Sequence, residues 1–406
     1  MIVALIGLIV SLFAYSIAFP RPEQRRFDIY AALLVLHIVT TIGYWLLSFE
    51  SGMDAFLYYR DPLGFIRESP FESGTYFMVH FVQNLKSALG GSFLDHFLFF
   101  QGFGMIGMAL LIRSFNEIAD SFGIAVPLHV YLILFLPGLH FWTGGIGKDS
   151  PMIMAVCLAA WASIRIERRF VWMGVALLIM ALIRPHVGVV TGLGLVAALA
   201  LTKQLSLRAK ILMAPIAVAG LVWVVLAVLD RFRLGLDFES ISNFVEVQQS
   251  FGEEFGGGAD LQNLSFPLKL FALLFRPLYV DAPGLMGLVA SVENTFLLYL
   301  FGYIAWHWRI VLRLLTRVSY ITYSVAYGVP LILMLAMVNY NIGLGQRQKM
   351  MAVPTVLIIY GTIYIYKRYL AAAATARAQA QAFALAQAQA EAQGPPGAAY
   401  GQPSQA

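Results

Sequence analysis

The sequence predicts an all-α, polytopic integral membrane protein with about eleven transmembrane helices. Three observations carry that prediction. Hydrophobic residues make up 60% of the 406 positions and charged residues only 12%, whereas soluble domains carry about a quarter charged residues. Apolar runs recur from end to end, with a mean hydropathy of +0.75, so the bilayer is the solvent. The remaining charges are sorted by sign between alternate loops, as expected of a chain that crosses a membrane repeatedly.

The first run, 1–19, has no basic residue before it and "RPEQRR" after it. A secretory signal carries its positive charge in front, so this run reads as a retained span with its N-terminus outside. Spans 29–49 and 94–114 bracket a first outer segment, 50–93, in which "TYFMVHFVQNLKSAL" has the pattern of an amphipathic helix lying on the surface. Four short runs follow: 126–142, 151–166, 170–183 and 187–202. A helix needs about 20 residues to cross a 30 Å core, and these runs hold fewer. Reading 170–202 as one helix would give roughly 50 Å and would move Lys203, Arg208 and Lys210 outside. Two antiparallel spans fit better, with their turns sunk below the surface. Span 211–229 leads to the second outer segment, 230–284, with a "GGG" hinge at Gly256–Gly258 and an apolar stretch too short to cross, "SFPLKLFALLFRPLYVDAPG", which ends in Arg276-Pro277 and Asp281. Spans 285–305, 319–338 and 350–366 complete a membrane domain over 1–370. The Ala/Gln-rich tail, 371–406, is expected to be cytoplasmic, helical at first and then disordered.

With this topology the inner segments hold 16 Lys/Arg against 6 Asp/Glu, and the outer segments 11 against 16. The positive-inside rule then places the C-terminus in the cytoplasm, and in a bacterium the protein in the inner (plasma) membrane. The net charge of +5 is therefore membrane topology, and no nucleic-acid partner is expected. A lone cysteine, Cys157, excludes a disulfide framework.

Irregular backbone survives at membrane depth only inside protein or along a watery cavity, so the two recessed turns attract attention. "FWTGGIGKDSPM" places Lys148 and Asp149 in one, and "RPH" places Arg184 and His186 in the other. Ionisable groups at such depth are functional candidates by default. Gly144, Gly145 and Gly147 free backbone N–H groups, and Asp149 or Ser150 is positioned to cap the next helix, so a phosphate-binding turn is one reading. A Lys148–Asp149 pair that neutralises itself is the other. The turn is not a Walker loop, because Trp142 stands where the first glycine belongs and Asp149 replaces Ser/Thr.

Three further groups face outward in this topology. Asp54 follows the second span, with Tyr58 and Tyr59 one turn on; a carboxylate can take a proton from a sugar hydroxyl, and aromatic rings stack on sugar faces. The alternative is an interfacial aromatic belt with a solvated acid. Arg276 ends the short apolar stretch, as a phosphate ligand or as a snorkelling anchor. Arg347 lies in "NYNIGLGQRQKMMAVP", and arginine grips phosphate oxygens in pairs. "GFGMIG" (Gly102, Gly104, Gly107) and Gly188/Gly192 lie within apolar spans and read as helix-packing contacts. No H-E-x-x-H and no nucleophile elbow occur, and neither a metal nor a cofactor is expected.

From about residue 20 to 366 these elements resemble the bacterial exopolysaccharide and O-antigen repeat-unit polymerases and, more widely, the GT-C-like membrane glycosyltransferases. The resemblance is carried by Gly52-x-Asp54 followed by Tyr58-Tyr59, by "FWTGGIGKDS", "LIRPH" and "LFRPL", and by "NIGLGQRQKMMAVP". It implies glycosyl transfer, at the outer face, of oligosaccharides carried on a polyprenyl phosphate or diphosphate, with no soluble nucleotide. Partners would be membrane lipids, the lipid-linked glycans and other polysaccharide-assembly proteins. Asp54, Arg184 and Arg276 would be the catalytic residues, and Tyr58, Tyr59, Lys148, Asp149, His186 and Arg347 would bind substrate. One departure stands out: a typical GT-C enzyme carries its acid after the first span, whereas Asp54 follows the second. The rival from another class is a transporter or flippase of lipid-linked saccharides, because paired short, interrupted helices are also a transporter pattern.

Overall fold

A computed structural model describes residues 1–51, 54–67, 72–235, 237, 239–240, 242–244, 246–247, 261, 264–339 and 341–392. The expected Gly256–Gly258 hinge and the end of the tail, 393–406, lie outside the described residues. Among those described, the chain is helical and holds no strand.

The first helices are α1 (Ile2–Ala18), α2 (Phe27–Ser51), the short α3 (Asp54–Arg60) and α4 (Thr75–Leu89). α5 (Phe93–Ser121) opens on a capping box between Ser92 and Asp95 and is the most deeply buried long helix. Its glycines explain its position. A side chain at Gly7 of α1 would run into the Leu98 carbonyl, and one at Gly104 would meet the His37 ring and the Thr143 carbonyl. These are the close helix approaches that small residues permit in membranes.

After α5 come α6 (Leu128–Leu132), α7 (Pro137–Thr143), α8 (Asp149–Ile164), α9 (Ile166–Ile183) and α10 (Pro185–Leu201). The single span expected over 126–142 is instead broken into α6 and α7, because Pro137 cannot continue a helix and starts a new one. The division of 170–202 is present. Gly188 lies against the backbone of Ala181, and the Thr191 hydroxyl meets the Met180 sulfur at 2.9 Å. Only a reversal at Arg184–Pro185 allows both contacts.

α11 (Leu207–Phe232) lies at the periphery with most of its apolar surface exposed, as a lipid-facing helix would. α12 (Phe266–Phe275) is the expected short apolar helix. α13 (Gly284–Trp306), α14 (Trp308–Leu315) and α15 (Ser319–Val338) precede α16 (Ile342–Lys349) and α17 (Val353–Ala392). The last helix runs unbroken from the expected span into the alanine-rich tail.

Among the described residues, five helices are long and apolar enough to cross a membrane: Phe27–Phe49 within α2, α5, α11, α13 and α15. A sixth is counted if α16 and α17, bent by 53° at their break, form one span. α1, α8 and α10 are apolar but shorter.

Charged groups gather at two ends of this bundle. The start of α8, the α9–α10 reversal, the start of α3 and α16 meet at one end. At the other, Glu117 of α5 accepts from Arg113 and Arg169 and lies 3.7 Å from Arg165, while Arg21 pairs with Asp120. Along α8 the two ends are roughly 24 Å apart, at 1.5 Å per residue.

Candidate functional site

Asp149, the first residue of α8, is the centre of the first cluster. Its Oδ1 accepts from Arg184 Nη2 at 2.7 Å, and its Oδ2 accepts from Arg347 Nε. Arg347 continues the chain, donating through Nη1 to Asp54 Oδ2 at 2.8 Å. Four stretches far apart in sequence are thus joined through one alternating row of acids and guanidiniums. Exposure falls from one end to the other: 47% for the Asp54 side chain, 13% for Arg347 and 7% for Asp149. A ligand arriving from outside the bundle meets Asp54 and Arg347 first.

The GG of the turn serves packing. A side chain at Gly144 would collide with Thr41, and one at Gly145 with the Tyr44 ring, so the two glycines let the turn lie directly on α2. α7, which leads into the turn, is tied to α2 by His140 and His37, whose Nδ1 atoms face each other at 3.0 Å. Ser150 donates to the Gly145 carbonyl at 2.6 Å, and the Asp149 carboxylate is held by the arginines, so neither caps α8. The first N–H groups of α8 thus carry no side-chain cap. Nor do Lys148 and Asp149 neutralise each other. Lys148 Nζ turns away to Thr75 Oγ1, 3.0 Å distant. Thr75 opens α4, whose start is held over the site by a hydrogen bond from Gly74 N–H to the Leu182 carbonyl.

α16 sets the remaining member. Asn341 caps it through Gly343 N–H, and Gln346 and Lys349, three positions apart and so on one face, dock onto the Arg276 and Leu274 carbonyls. Arg347 points elsewhere, to the two carboxylates, with its guanidinium carbon 6.0 Å from the Trp142 ring centre.

Several expected site residues are placed differently. Tyr58 and Tyr59 do not form a common platform, because adjacent residues on a helix face apart. Tyr58 is buried with its ring edge beside Gly147, and Tyr59 turns to the Gly91 carbonyl and the Lys86 ammonium. Asp149 is enclosed and is held between two arginines. His186 is half-buried and close enough to Arg184 and Lys148 to feel both charges, with no hydrogen bond to either carboxylate among the described residues. Arg276 stands outside the cluster. It leaves α12 in extended backbone and pairs with Asp281 at 2.5 Å, while Asp281 also accepts Leu278 N–H.

Arg276 instead lines a cavity of about 740 Å³, together with Trp142, Gly138, Met286, Glu293 and Gln346. Its walls are almost wholly apolar. Trp142 and α16 stand between it and the charged row, so the two compartments adjoin. The cavity reveals two residues whose part in the site was not evident beforehand. Glu293 of α13 is buried in its wall, and Lys349 is buried behind it, donating to the Leu274 carbonyl and to Asn294. A carboxylate in the middle of the apolar run "GLVASVENTFLLYL" was the available signal.

Lys148, Arg184 and Arg347 face Asp54 and Asp149, so the row carries one net positive charge. Burial opposes ionisation of Asp54, but the Arg347 guanidinium, with Lys148 and Arg184 behind it, holds the carboxyl below its usual range. Burial pushes the Lys148 ammonium down to about 8, and Arg184 adds to that effect.

Two measurements follow from this geometry. Asp149→Asn removes the shared charge between two buried guanidiniums and should destabilise the fold by about 3–5 kcal/mol. Asp54→Asn, half-exposed, should lower the melting temperature of the purified protein far less; equal losses would mean that Asp149 does not organise the row. Lys148 is cationic below its pKa, so its charge should be full at neutral pH and decline as pH rises through about 8. Lys148→Arg, which stays charged, should abolish that decline in a titration series.

No family model, curated protein or solved structure matches the chain, so the reading of this site rests on its own geometry.

Proposed function

We propose that the protein is an integral-membrane glycosyltransferase that polymerises oligosaccharide repeat units carried on a polyprenyl phosphate or diphosphate, at the outer face of the plasma membrane. The observation that carries this reading is the row Asp54–Arg347–Asp149–Arg184, flanked by Lys148, set beside an apolar cavity. A lipid-linked sugar needs both compartments, one for the hydrocarbon and one for the charged junction.

In this reading an acceptor hydroxyl attacks the anomeric carbon of the donor. The bond from that carbon to the phosphate oxygen breaks, and the lipid phosphate leaves with the bonding electrons. Asp54 takes the hydroxyl proton. It is suited to that task by staying ionised beside Arg347. Lys148 and Arg347 stabilise the negative charge on the leaving phosphate, as preorganised cations do in a site that excludes water. Arg184 holds Asp149, and Asp149 fixes the Arg347 fork. Arg276, at the cavity, is a second phosphate contact, placed nearer to the lipid than the row.

The topology proposed with this function has eleven crossings, the broken α6–α7 pair counting as one. Its N-terminus is outside and its tail cytoplasmic. The arginine-rich end, with Arg21, Arg113, Arg165 and Arg169, then faces the cytoplasm, in keeping with the positive-inside rule. A transporter of lipid-linked saccharides is the second reading, favoured by the buried Glu293 and Lys349 between α13 and α16.

Purified protein in vesicles, supplied with lipid-linked repeat units, should produce longer glycans. Asp54→Asn should cut that turnover by about 10²-fold or more. Arg347→Lys cannot span two carboxylates with one ammonium and should stop elongation while the protein still inserts. Normal elongation by Arg347→Lys would sink the proposal, and movement of intact donor across the bilayer without elongation would favour the transporter. For the topology, cysteines introduced at the exposed Leu63 and at Asn341, after replacement of Cys157, should react with an impermeant thiol reagent in intact cells. Cysteines beside Arg26 and Lys203 should not; labelling there would reverse the orientation.

A further inference from the structure

We infer that the apolar cavity is a binding site for the lipid-borne substrate in which Glu293 recognises a hydroxyl group. The inference deepens the proposed function, on which it rests for the nature of the lipid.

Glu293 is only 3% exposed and lines the cavity from α13. Its Oε2 accepts the Gly138 N–H at the start of α7. Its Oε1 is buried and has no partner among the described residues. Leaving a buried acceptor unmet is costly, and more so for a charged group. The seat for this carboxylate is built. A Cβ on Gly138 would stand 2.7 and 2.8 Å from its two oxygens, so only glycine at 138 leaves room for the acid and offers it an N–H at once.

The chemistry of the walls narrows the occupant. A phospholipid acyl chain would fill the apolar space but has no donor for Oε1. A phosphate would be repelled by the carboxylate and is served better by Arg276. An ammonium group would add a third cation to a set already balanced: Arg276 pairs with Asp281, and Lys349 acts on Glu293 from behind. A neutral donor on a hydrocarbon chain satisfies Oε1 without disturbing that balance. A hydroxyl carried by the isoprenoid lipid is such a donor, and a cavity of about 740 Å³ lies within the range of ligand sites.

The test is photolabelling of the full-length protein in lipid nanodiscs with a diazirine analogue of farnesol and with its methyl ether. The two probes match in the chain and differ in the donor. The alcohol should label peptides of α13 and α16 about ten-fold or more above the ether, the ratio expected for one hydrogen bond to a buried acceptor. Glu293→Leu should reduce that ratio to near one while labelling by the ether persists, which shows that the cavity still forms. Gly138→Ala should act in the same direction by displacing the carboxylate, and Glu293→Gln, which keeps an acceptor oxygen, should retain part of the preference. Equal labelling by both probes in the unmodified protein, labelling away from the cavity, or a preference that survives Glu293→Leu would overturn the inference. The readout is binding rather than elongation, so it separates the two claims. A Glu293-dependent preference in a protein that makes no polymer would leave this site standing and remove the proposed reaction.

Discussion

One carboxylate shared between two guanidiniums holds this end of the molecule together. Asp149 is almost fully enclosed, and each of its oxygens accepts from a different arginine. In a low-dielectric interior neither arginine could stay charged there alone at tolerable cost, and the acid could not either. The bonds therefore tie α8, the α9–α10 reversal and α16 into one unit. The close approach of the GG turn to α2, the placement of α4 over Lys148 and the presentation of Arg347 to Asp54 all depend on that unit keeping its shape.

The row is graded. Its buried end is paired on every side and has little to offer a ligand. Its exposed end couples a half-open carboxylate to an arginine with further donors. The gradient sets the enclosed Asp149 apart from the half-open Asp54. α16 extends the same logic sideways. One face docks on the carbonyls that end α12, while Arg347 leaves from another. The polar row and the apolar cavity thus share an eight-residue wall.

How much of this was legible beforehand varies by element. The hydropathy pattern located α4 and α15 to the residue, because an amphipathic stripe or an apolar run is a local property. It missed the break between α6 and α7 because apolar residues continue through it, and hydropathy does not register the restriction that Pro137 imposes. The two charged turns stood out because charge is costly beside apolar runs, and Lys148, Asp149 and Arg184 do converge with Asp54 and Arg347. The same reasoning applies to Glu293, whose acidity in an apolar run was the signal. The Tyr58–Tyr59 platform failed on helical geometry, since neighbours in a helix point about 100° apart.

The sequence by itself determined the solvent, the all-helical class, most of the helices and the list of ionisable residues with a reason to be buried. Each of these follows from the free energy of placing a side chain or a backbone group in hydrocarbon, which is a sum over local terms. Only the tertiary structure decided which charges meet. Arg276 and Arg347 were equivalent candidates in sequence, yet one is paired within five residues and the other reaches carboxylates 198 and 293 positions away. That outcome depends on how helices pack, on glycines that admit a neighbour's backbone, and on the direction in which a short helix presents one residue. Ion pairing acts over a few ångströms, and distances of that size are set by the packed whole.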